Sequence, residues 1–234
     1  MEPLFTQNFE INDNVVDRYG RLTPSKILFL AQEIAGLHCN LLSVDYDTLA
    51  RQRMFWAVTR HRVQVTRLPL RGETIRVETW PMPTTRTAYP RAAVAYDADG
   101  RELFRSVSLW VLMDAHQRTM VLPGKSSVTV DGTLRGDELA VPGSIVPKVF
   151  SKQERRTVRF SDLDWVADTL PSAFHETHSA REFTVCYLSE AREGEEMNIS
   201  WELTEDGCLC VEAGRQEGSV STGHGRVFSA RVLF

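Results

Sequence analysis

One pattern occurs twice along this chain, and it limits the fold more than any single motif. Val63-Gln-Val65 is followed, after a nine-residue step, by Gly72-Glu73 and then by Ile75 and Val77 at alternate positions. The same order returns 122 residues later as Val185-Cys-Tyr187, Gly194-Glu195, Met197 and Ile199. A glycine at that point suits a turn that needs a positive φ, and alternating apolar residues suit a strand with one buried face. Each half also opens on an aspartate-bearing turn, Asp17-Arg-Tyr-Gly20 in one and Ser161-Asp-Leu-Asp164 in the other. Chance similarity between two hairpins is the competing account. If the repeat is real, the 234 residues form two small domains instead of one large one.

The segments around the repeat agree with that division. Residues 24–42 place Ile27, Leu28, Leu30, Ala31, Ile34, Ala35, Leu37 and His38 at helical spacing. Thr23 is the expected N-cap and Pro24 suits the first helical position. This helix is apolar over much of its circumference, so it is expected to be deeply buried, as a helix wrapped by a sheet would be. Strands are expected at 55–65, 73–80, 89–96 and 105–113, with the hairpin turn Asp97-Ala-Asp-Gly100 between the last two. They are expected again at 155–161, 182–187, 197–203, 207–213 and 219–234. Residues 124–148 are rich in Gly, Pro, Ser and Asp and read as a linker. The expected organisation is an N-terminal domain over 1–123, that linker, and a C-terminal domain over 149–234, of α+β class.

Composition excludes several functions. A net charge of −4 argues against bulk nucleic-acid binding. No apolar run approaches the ~20 residues of a membrane span, and the N-terminus has neither the basic start nor the apolar stretch of a signal peptide. A cytoplasmic location is the default expectation. Cys39, Cys186, Cys208 and Cys210 form no CxxC pair and read as buried free thiols. No glycine-rich phosphate loop occurs, so no nucleotide cofactor is implied. His175 and His178 lie three apart but lack companions at ligand spacing, so a solvated loop is expected there in place of a metal site.

Several motifs are similar to those of the acyl-acyl-carrier-protein thioesterases of plants and bacteria. They are Tyr19-Gly-Arg-Leu-Thr-Pro-Ser25 before the helix, Gly72-Glu-Thr-Ile-Arg-Val-Glu-Thr-Trp80-Pro81, and Ser106-Val-Ser-Leu-Trp110-Val-Leu112. The second half adds Ser161-Asp-Leu-Asp164 and Tyr187-Leu-Ser-Glu190. The resemblance covers most of the chain. It implies two tandem hot-dog folds, each an antiparallel sheet wrapped around a helix, and hydrolysis of a fatty acyl thioester to free fatty acid. The same fold also serves acyl-CoA thioesterases, and a non-catalytic acyl-binding protein is a third reading.

The resemblance places the catalytic carboxylates on Asp164 and Glu190. Ala191 stands where the family carries cysteine, so water activated by a carboxylate is favoured over a cysteine nucleophile. Burial of Glu190 would raise its pKa and suit it to that task. Read from the residues alone, Glu190 could be a solvated strand end and Asp164 a turn cap. The first half has Leu68 at the place equivalent to Glu190. No G-x-S-x-G motif occurs, which argues against a serine route.

After Asp164 the family's Asn, His and most of a helix are absent, and Pro171 interrupts what remains. The second helix is therefore expected to be missing or shortened. Either the protein carries a true deletion, or a loop and helix have dropped out of the sequence as read. A sheet stripped of its helix would expose a large apolar patch, which favours the second account.

The implied partners are an acyl-carrier protein and its fatty acyl chain, with no nucleic acid and no membrane; a homodimer is left open. Carrier proteins are acidic, so docking is expected on Arg51, Arg53, Arg60, Arg62, Arg67 and Arg71, a stretch without Asp or Glu. Lys148, Lys152, Arg155, Arg156 and Arg159 form a second basic cluster. Ordinary solvated strand faces would look the same. Trp56, Trp80 and Trp110 could line an acyl tunnel or simply belong to the core.

Overall fold

The computed structural model describes residues 4–130, 132–146, 150–157, 170, 172–192, 194–215 and 225–234. The chain divides into two compact units, Met1–Pro142 and Gly143–Phe234. The first contains β1 (Phe5–Glu10), α1 (Pro24–Leu41), α2 (Tyr46–Arg51), β2 (Met54–Val65), β3 (Thr74–Pro81), β4 (Tyr89–Tyr96), β5 (Glu102–Asp114) and β6 (Met120–Val121). The second contains β7 (Lys152–Thr157), α3 (Ser172–Thr177), β8 (Glu182–Tyr187), β9 (Glu196–Leu203), β10 (Cys208–Arg215) and β11 (Arg226–Leu233).

The repeat is visible in the topology. Strand order in the first unit is β1-β3-β4-β5-β2, antiparallel throughout, with β6 added to β5. Strand order in the second is β7-β9-β10-β11-β8, again antiparallel. Element by element these are the same path. The shared turns match as well. Gly72 and Gly194 have φ of +85° and +83°, values that an L side chain adopts only with strain. Glu73 accepts from the amide of Leu70 at 2.9 Å, and Glu195 accepts from the amide of Arg192 at 3.0 Å. Ile75, Val77, Met197 and Ile199 are all fully buried. A coincidence of two hairpins would not reproduce strand order, turn and core together.

The sheet of the first unit is covered on both faces. Thr23 caps α1 by accepting from the amide of Lys26. The helix buries Ile27, Leu30, Ala31, Ile34, Ala35 and His38 against one face. It is not buried all round, because Phe29, Leu37 and Leu41 stay exposed. The helix is thus less deeply buried than its composition suggests: α1 lies on its sheet with one side outward. The opposite sheet face carries Trp80, Met82, Ala92, Val94 and Val107, with Leu139 packed on them.

Leu139 belongs to the Gly/Pro-rich stretch expected as a linker, and that stretch is fastened to the first unit. The amide of Thr133 donates to Pro81 O at 3.0 Å, Trp80 Nε1 donates to Glu138 at 3.0 Å, and Arg105 donates to the carbonyl of Asp137. Gly132 makes the closest approach. A Cβ placed there would lie 2.0 Å from the carbonyl oxygen of Met82. Gly132→Ala is therefore expected to destabilise the first unit by about 2 kcal/mol through overpacking against backbone. Gly124→Ala, with nothing within 4 Å of the added carbon, should be close to neutral. Urea unfolding midpoints compare the two.

In the second unit the only helix among the described residues is α3, six residues long. It occupies the polar stretch expected as a solvated loop, which is a correction. The cause is aromatic: His178 stacks on Phe174 at 4.1 Å, and Phe174 meets Phe234 edge-on at 4.9 Å.

Candidate functional site

The two carboxylates singled out in the sequence fare differently. Asp164 lies outside the described residues. Glu190 sits just beyond β8, where the chain leaves the sheet, and it is exposed. The burial expected for it is therefore absent. Its loop is nevertheless well held. The amides of Leu188 and Ser189 both donate to Val227 O, at 2.8 and 3.1 Å. Arg215 on β10 donates to the carbonyl of Glu190, to Ser189 Oγ at 2.9 Å and to Glu195 at 3.2 Å. One guanidinium thus ties three points of the loop to the sheet, and the Glu190 side chain projects from a fixed backbone.

The six docking arginines do not form one bare cationic surface. Arg51 and Arg53 are exposed at the end of α2. Arg67 is paired with Glu73 at 2.9 Å, and Arg71 with Asp13 at 3.1 Å. Arg60 and Arg62 are half-buried on β2, and Arg60 donates to Pro142 O at 3.1 Å. The stretch itself holds no acid, but Glu73, just before β3, and Asp13, in the turn after β1, pair with two of its arginines. In the second basic cluster, Lys148 and Arg159 lie outside the described residues.

The three tryptophans are packed against neighbouring side chains in the first unit. Trp80 is 2% exposed. Trp56 meets Tyr89 edge-on at 4.9 Å and donates from Nε1 to Val44 O at 2.9 Å. Trp110 donates to Ser108 Oγ at 2.8 Å. All four cysteines are free, and Cys186, Cys208 and Cys210 are buried.

Sequence reasoning missed a set of buried polar residues under α1. Arg91 on β4 donates from Nη1 to His38 Nδ1 at 3.0 Å and to Thr79 Oγ1 at 3.3 Å. The Phe5 ring stacks on His38 at 5.6 Å. Strand register sets Arg91 beside Ser108 on β5, and Ser108 beside His61 on β2. Alternation along each strand turns all of them to the helix-covered face. His61 is 1% exposed, and neither ring nitrogen has a partner among the described residues. Burial alone pushes its pKa down to about 4. A signal for Arg91 was present: it stands in the run Tyr-Pro-Arg-Ala-Ala-Val-Ala-Tyr, which has no other charge. Such a strand is covered on both faces, and its one cation is buried with it.

Two matched sheets of this order, each followed through the same turns, define a tandem hot-dog fold. The fold is shared with a crystal structure of an acyl-ACP thioesterase from Bacteroides thetaiotaomicron, at a TM-score of 0.84 and 22% identity, over 99% of this chain and 98% of that one. It is shared also with a 12:0-ACP thioesterase from Umbellularia californica, at a TM-score of 0.80 and 20% identity, over 100% and 97% of the two chains. Among curated relatives, a chloroplastic palmitoyl-acyl carrier protein thioesterase of Gossypium hirsutum is 23% identical over 80% of this chain and 52% of its own length. A chloroplastic dodecanoyl-[acyl-carrier-protein] hydrolase of Umbellularia californica is 25% identical over 73% and 51%. This chain spans about half the length of those curated relatives. The model of the acyl-ACP thioesterase N-terminal domain matches residues 2–122. The chain belongs to the acyl-ACP thioesterase family.

Proposed function

We propose that this chain hydrolyses the thioester of a fatty acyl-acyl-carrier protein and releases free fatty acid. The observation that carries the reading is the family match across the first unit, residues 2–122. The repeated strand order and the motif run Gly72–Pro81 support it. In the proposed reaction a carboxylate of the second unit, Glu190 with Asp164, takes a proton from water as the oxygen attacks the thioester carbonyl. The carbon–sulfur bond then breaks, and the sulfur leaves with a proton as the carrier's thiol. The exposed Arg51 and Arg53 are the members of the basic stretch best placed to meet an acidic carrier. No helix among the described residues is long and apolar enough to cross a membrane.

Acyl-CoA is the competing substrate, since the same fold handles both. Purified protein incubated with dodecanoyl-ACP and with dodecanoyl-CoA should release dodecanoate faster from the carrier protein. The advantage should shrink as salt rises, because steering between opposite charges is screened. Equal or greater release from the CoA ester would move the assignment to an acyl-CoA thioesterase. No release from either would leave an acyl-binding protein.

A further inference from the structure

Arg215 closes β10, a strand paired on one side with β9 and on the other with β11. Its own amide donates to Gly225 O at 2.7 Å, so the residue starts from a fixed point of the sheet. Its side chain is 15% exposed and reaches the loop after β8 through Nε, Nη1 and Nη2. Nη1 donates to Ser189 Oγ at 2.9 Å. Nη2 donates to the carbonyl of Glu190 and to Glu195 at 3.2 Å, and Nε donates to the same carboxylate at 3.4 Å. Glu195 also accepts from the amide of Arg192 at 3.0 Å, which closes the loop on itself. A planar guanidinium is suited to such a cluster, because its donors are fixed in one fork.

The duplication shows what is particular about this arrangement. The 122-residue offset sets Ser189 on Arg67, Glu190 on Leu68 and Glu195 on Glu73. Arg215 opposes Met197 on β9. The matching place, opposite Ile75, falls to Asp97, next after the Arg76–Tyr96 pair. The first unit builds the same cluster with the charges exchanged. Arg67, on the loop, pairs with Glu73 at 2.9 Å and with Asp97 at 3.7 Å, and it donates to Leu68 O at 3.3 Å. There the cation rides on the loop, 41% exposed, beside a leucine. In the second unit the cation sits on the strand and the loop position is a serine. A cation borne by the loop moves with it; one borne by the strand fastens the loop to the sheet. The half with the glutamate is the half with the fastening.

We propose that Arg215 is the positioning residue for Glu190. It holds the main chain from Ser189 to Glu195 so that the Glu190 carboxylate meets water and thioester at one reproducible distance. The inference rests on the reading of Glu190 as the general base, through which Arg215 acts. A misplacement of about 1 Å can cost a reaction about 100-fold, so the effect falls on kcat and not on the binding of the carrier protein.

The test is a double-mutant cycle in the full chain, read as dodecanoate release from dodecanoyl-ACP. Arg215→Met keeps most of the stem and removes every donor, and it should lower kcat about 10-fold with KM little changed. In the Glu190→Gln background the same substitution should lower the rate no further, because no base remains to be misplaced. Arg215→Lys, which keeps a cation but lacks the fork, should recover part of the rate. Amide exchange at Arg192 should quicken about 10-fold in Arg215→Met, while the amides of α1 keep their wild-type rates. An unchanged kcat in folded Arg215→Met overturns the proposal. So does a loss that adds in full to that of Glu190→Gln, which marks a general structural effect. If Arg215→Met does not fold, Arg215→Lys carries the cycle, with a smaller loss expected and again none beside Glu190→Gln. Full activity of Glu190→Gln removes both the base and its positioning residue. A wild type that releases no dodecanoate sinks the function, and unchanged exchange at Arg192 then sinks the clamp as well. Impairment of Glu190→Gln with none in Arg215→Met sinks the positioning role alone.

Discussion

Acidification from neutral pH to about pH 4 is expected to cost the folded chain about 3 kcal/mol through His61 alone. The folded-state pKa of this residue is about 4, against 6.5 for an ordinary histidine. Between those values the unfolded chain takes up a proton that the folded chain refuses. Stability is thus full above pH 6.5, falls as pH drops toward 4, and loses nothing further through this group below that. The cause is desolvation: the ring is enclosed, both nitrogens lack partners among the described residues, and Arg91 in the same row adds no negative charge to welcome a proton. His61→Leu keeps the volume close and removes the titration. Urea unfolding across this range should give a wild-type curve that falls relative to the variant. Parallel curves would show that His61 is not sealed from water.

For Glu190→Gln, the rate of fatty acid release is expected to drop about 100-fold or more, with KM little changed. The amide is nearly isosteric, and Arg215 grips the main-chain carbonyl, a contact that this substitution leaves in place. A fall in kcat without loss of folding therefore reports the lost base. An unchanged rate would remove Glu190 from the mechanism. Its exposure makes this a sharp test, since a solvated strand end and a general base look alike until the rate is measured. Single-turnover hydrolysis of dodecanoyl-ACP isolates the chemical step.

Much of the fold was legible because it is written in periodicity. The helix over 24–42 is observed as Pro24–Leu41, and the strands expected over 89–96 and 182–187 are observed as Tyr89–Tyr96 and Glu182–Tyr187. The elements that went unread lack such a signal. β1, FTQNFE, has three polar residues in its middle and is a strand because β3 offers it an edge. α3 is polar and forms around the Phe174 ring.

The candidate sites divide along the same line. Asp164 and Glu190 could be named because a resemblance marks them; Arg91 carried only the hint of a lone charge in an apolar strand, and His38 and His61 carried no site signal. Their importance lies in who their neighbours are, and those neighbours come from β2, β4, β5 and α1, far apart in the chain. The docking arginines show the converse. A stretch without an acid of its own reads as cationic, yet Glu73, two residues past its end, turns back onto Arg67, and Asp13 arrives through the fold to pair with Arg71.

From the amino-acid order alone came the duplication, the strand and helix periods and the turn glycines, since these depend on residues within a few positions of one another. Tertiary structure alone decided which charges are buried, which are paired and which stand without a counter-ion. Desolvation and Coulomb attraction act through space, and only the assembled sheet beneath α1 brings Arg91, Ser108 and His61 into one buried row.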